Sequence, residues 1–206
     1  MKFVKDRWAM EALHALQQRD HVRLKEVFQE LPDACVNSSV EKCPGGAPFD
    51  FAGEGFFDSR AAAWASPTFN IAKHGDSLLI LALRQFDPAS AAALVEVGAD
   101  LNATNVDNES GISLAWAAYL SLTTGEPAVA SQLDAHKAAY EALFDRIKPQ
   151  MLEYHDGIKA HVRAQLVSIY TAYAPERLDK IDGQLDAFYG KELELLGKVQ
   201  AKYATA

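Results

Sequence analysis

Two cysteines and six histidines are the residue types in this chain best suited to nucleophilic or metal chemistry. Cys35 and Cys43 are separated by the seven residues Val36 to Lys42. A structural zinc site takes four Cys or His ligands, which two cysteines cannot supply and scattered histidines do not complete. His155 and His161 lie six apart on a predicted helix, whereas helical ligand pairs need a spacing of three or four to share a face. Cys35 beside His14 or His21 would make a thiol–imidazole pair, and a cysteine-dependent enzyme using Cys35 or Cys43 is therefore one alternative reading. The two thiols read either as a free pair in a reducing compartment or as a local disulfide. Gly45-Gly46 and Gly53-Glu54-Gly55 match no phosphate-loop pattern, and no serine lies in a GxSxG elbow. Asp20, Asp58, Asp87, Asp100 and Asp107 fall at turns and caps. The residues thus predict a non-enzyme with no catalytic, cofactor-binding or metal site.

The elements that would carry any site come from an ordinary globular composition. With 206 residues, 49% hydrophobic and 23% charged, the chain can bury a core without staples. A formal charge of −8 argues against binding a phosphate backbone. No run of about 20 apolar residues exists to span a membrane, and Met1 to Leu16 lacks the apolar stretch of a secretory signal. An intracellular protein is expected, in the mitochondrion or in the cytoplasm or flagellum. Asn37-Ser38-Ser39 and Asn108-Glu109-Ser110 match the glycosylation acceptor pattern and are expected to be unused there.

An internal period organises the first two thirds. Asn37, Asn70 and Asn102 are 33 and 32 positions apart, and Leu13 and Leu79 differ by 66. The clearest unit is GDSLLILALRQFDPASAAALVEVGADLNA, Gly75 to Ala103. Ser77 is placed to cap a helix by accepting a backbone N–H. Leu79, Ala82 and Leu83 make one apolar face. Asp87-Pro88 ends that helix and starts the next. Gly98 is placed to end the second helix in the left-handed conformation, and Asp100 and Asn102 are turn formers.

This unit resembles the ankyrin repeat without a gap: Ser77 stands where the family usually has Thr, Leu79, Leu81 and Ala82 match its first helix, Leu94 and Val95 its second, and Gly98 to Ala103 its loop. A looser first unit runs from Leu13 through Pro32 to Asn37, and a fourth opens at Ile112. In the second, Gly45, Gly46, Gly53 and Gly55 with Pro44 and Pro48 disfavour a helix, so residues 38–57 read as a Gly/Phe-rich insert filling a repeat slot. Ankyrin stacks bind through loop tips and the face of their first helices. The resemblance therefore implies partner contacts at Phe49, Phe51, Phe56, Phe57, Lys73, His74, Asp76, Asn105, Asp107 and Asn108.

Beyond Glu126, helix formers dominate. One helix is predicted over 126–147, ended by Pro149, and another over about 151–173. Leu178, Ile181, Leu185 and Phe188, then Leu193, Leu196, Val199 and Tyr203, continue the pattern with a break at Gly190. The expected fold is all-α: an ankyrin-like helix-turn-helix stack over 1–148, then a long antiparallel helical hairpin over 149–206. The expected function is protein–protein interaction or scaffolding, as an accessory subunit of a mitochondrial respiratory, ATP synthase or flagellar assembly. A regulatory module masking a partner helix is a further alternative. Partners are other proteins, with no nucleic acid.

Overall fold

A computed structural model describes residues 7–30, 36–37, 75–124 and 136–203. The regular elements among the described residues are all helices, apart from a single bridge between Thr104 and Ser110. They form two compact units, Met1–Ile147 and Lys148–Ala206. Among them, no helix is long and apolar enough to cross a membrane.

The first unit is built on two helical hairpins. In one, α1 (Arg7–Gln17) is followed by α2 (His21–Glu30). In the other, α3 (Leu78–Arg84) is followed by α4 (Pro88–Glu96). Their turns repeat bond for bond. Arg19 and Phe86 each adopt a left-handed φ of 55°. The next N–H in each, of Asp20 or Asp87, donates to a carbonyl five residues back, that of Ala15 or Ala82. The Asp20 and Asp87 side chains then cap the second helices by accepting from Arg23 N–H and Ser90 N–H. Gly98 (φ 91°) closes α4 in the same way, with Ala99 N–H donating to Leu94. Reversal of this kind satisfies carbonyls at a helix end that would otherwise lack partners.

Composition explains how the hairpins pack. All six residues from Leu78 to Leu83 are buried, so α3 has no solvent face and must be enclosed. It packs against α1, α4 and α5 (Gly111–Thr124), while α2 packs against α4. The hairpin at 7–30 therefore rests directly on the hairpin at 78–96. The second repeat unit expected between them lies outside the described residues. Asn37 confirms the closeness, its Oδ1 accepting from Asp100 N–H at 2.6 Å. The insert at 38–57 lies outside the described residues.

The first turns of α6 (Lys137–Tyr173) complete this unit with buried Tyr140, Leu143, Phe144 and Ile147. Glu96 of α4 is paired with Lys25 of α2 and with Arg146 of α6. Those contacts, chiefly the hydrogen bond from Lys25, hold its carboxyl below the ordinary range.

The predicted break at Pro149 is absent. α6 runs unbroken through Pro149, 37 residues in all. Proline removes one helical N–H, which leaves the carbonyl of Asp145, and both residues are exposed, so the orphaned carbonyl lies on a face that solvent can reach. The second unit joins the later turns of α6 to a 3-10 turn (Pro175–Lys180), α7 (Ile181–Ala187) and α8 (Glu192–Tyr203). Its core is Val162, Leu166, Tyr170, Ala174, Ile181, Leu185, Leu195, Leu196 and Val199. The returning arm is a 3-10 turn running directly into α7 and then, after the expected break at Gly190 (φ 75°), α8.

Two outcomes test this packing. A Cβ added at Gly111 would lie 2.6 Å from Leu79 Cδ2 and 3.0 Å from its Cγ. Since Leu79 is buried, Gly111→Ala should cost about 1–3 kcal/mol in urea denaturation; an unchanged midpoint would contradict the α3–α5 packing. For Glu96 the carboxyl is depressed in the folded state, so its contribution is present at neutral pH and lost as pH falls through the folded-state titration. Glu96→Gln should remove that part of the acid limb of a stability–pH curve.

Candidate functional site

The side chains just before α3 and in the loop before α5 meet in one polar cluster. Asp76 is fully buried. Its Oδ1 accepts from Arg84 Nη2 at 3.0 Å and Asn105 Nδ2 at 2.8 Å. The same two donors reach Glu109 Oε2, each at 2.8 Å. Burial by itself would lower the Arg84 pKa, but the hydrogen bonds to Glu109 and Asp76 outweigh it and raise it above the ordinary guanidinium value. Arg84 is placed here as the last residue of α3, the one polar position in LLILALR.

Asn105 then shapes the loop. Its Oδ1 accepts from the N–H groups of Asp107 and Glu109, both at 2.9 Å. Its backbone N–H donates to the Glu109 carbonyl at 2.9 Å, and its carbonyl accepts from Asn108 N–H at 3.1 Å. Asn108 takes a left-handed φ of 60°, a conformation that asparagine tolerates. Gly75 (φ 81°) lies beneath, where a Cβ would sit 3.2 Å from Asn105 Cα. Ser110 and Ser113 cap α5 reciprocally, each hydroxyl accepting the other's N–H. The result is a loop over 104–110 fixed from inside, with Val106, Asp107 and Asn108 exposed at its tip.

The expected partner-binding residues therefore separate. Asp107 and Asn108 stand on the surface, while Asp76 and Asn105 are buried and position the loop from below. Phe49, Phe51, Phe56, Phe57, Lys73 and His74 lie outside the described residues, as do Cys35 and Cys43. His14 and His21 are both exposed. Sequence reasoning missed Val106, which is 61% exposed, and the Arg84–Glu109 contact. An isolated valine inside the turn-rich stretch Asn105 to Gly111 was the available signal.

A second buried polar pair lies in the second unit. His155 Nε2 and Glu192 Oε1 are 2.7 Å apart, with side chains 6% and 3% exposed. Gly190 N–H donates to the same oxygen at 2.9 Å, and the Tyr189 ring meets the imidazole edge-on at 4.7 Å. Glu192 opens α8, so the pair fastens the start of that helix to α6. Both constellations tie neighbouring elements together through internal hydrogen bonds, although the buried Nε of Arg84 has no partner among the described residues.

Comparison with protein-family models, with curated proteins and with solved structures returns no match to this chain.

The two clusters give two outcomes by urea denaturation. Arg84→Met leaves the Asp76 carboxyl buried without its cation and should cost about 3–5 kcal/mol; a loss below about 1 kcal/mol, the size of an exposed pair, would show the cluster to be peripheral. His155→Ala should destabilise the second unit by a similar amount, about 3 kcal/mol. The paired replacement His155→Leu with Glu192→Met should recover most of that loss, since apolar side chains can replace a buried polar pair.

Proposed function

We propose that this chain is a non-enzymatic protein-interaction module, docking through the loop side of its first unit onto a basic protein surface. The observation that carries this reading is the exposed tip at Val106 to Asn108, supported from below by the buried Asp76 and Asn105. A loop fixed before binding gives up little entropy when a partner arrives. Its charge supplies the partner's chemistry. Between Arg84 and Lys137 there are seven acidic residues and no Lys or Arg. Residues 148–206 hold eight basic and eight acidic side chains, so the whole net charge of −8 falls on residues 1–147. Such asymmetry favours basic partners and repels acidic ones.

The resemblance to ankyrin repeats supports the same reading, since those stacks bind proteins through equivalent loops. Ser77, Asp87-Pro88 and Gly98 occupy the cap and turn roles which that repeat requires. An accessory subunit of a larger assembly, mitochondrial or flagellar, is the specific form of the proposal. Capture of the tagged full-length chain from its native cells at low salt should recover a stable partner with a basic surface. Val106→Asp with Asp107→Lys should abolish that capture, and raised salt should weaken it. Recovery of only a free 22.5 kDa chain, or capture indifferent to the double substitution, would overturn the reading.

A further inference from the structure

We draw no further inference here: the strongest candidate, the alanine-floored groove of about 640 Å³ between α2, α4 and the first turns of α6, lined by Val22, Lys25, Ala89, Ala92, Glu96 and Ala139, carries nothing because nothing in the structure shows what covers it.

Discussion

The complete burial of α3 is the constraint from which the rest of the first unit follows. A helix with six consecutive buried apolar residues has no face to give to water. It must be walled by other helices, and α1, α4 and α5 supply the walls. Its ends then become the difficulty, because the unpaired backbone groups of a buried helix cannot be left to solvent. Ser77 resolves the start by accepting from Ile80 N–H, and the Gln85 to Asp87 turn resolves the finish. Asp76 and Arg84, carried inside at the two ends, are left to neutralise one another. Asn105 and Glu109 complete their coordination, and in doing so they shape the exposed loop. Core packing and surface loop are thus one structure linked through a buried ion pair.

Local features of this unit were legible because each obeys a short-range rule. Serine before an apolar run, Asp-Pro between two runs and glycine after the second mark the caps and turns wherever the helices go. The left-handed positions at Arg19 and Phe86 gave no such signal, since neither is glycine; the backbone reversal there is held by the bonds from Asp20 and Asp87 N–H to Ala15 and Ala82. The direct contact of the first hairpin with the hairpin at 78–96 was illegible for a related reason. A sequence period orders units along the chain, but burial selects which apolar faces meet. The loop residues were readable as a set, Asp76 and Asn105 with Asp107 and Asn108, but not in their division into support and tip. That division depends on where Arg84 reaches, which spacing alone does not reveal.

The second unit shows two limits of pattern reading. Pro149 looked like a terminator because proline usually ends helices, yet its cost depends on whether water can reach the carbonyl left behind. On an exposed face it can, and α6 runs on. Along α6, Tyr154 and Ile158 are only half-buried. Met151, His155, Val162, Leu166 and Tyr170 are the residues of its later turns that face inward. A histidine inside such a stripe implies a buried polar partner, and Glu192 fills that role from the other side of the fold. Neutral in sum, this unit contrasts with the acidic first unit, so the electrostatic character of the chain is set almost wholly by the part that carries the loop.

The loop over 104–110 is thus fixed from within the chain itself. Hydrogen exchange on the unbound full-length chain measures this directly. The amides of Asp107 and Glu109, both bonded to Asn105 Oδ1, should be protected to within about tenfold of the α3 amides, because opening them requires opening the Asp76–Arg84 cluster. Exchange of those two amides at the rate of an unstructured peptide, with α3 still protected, would contradict the claim.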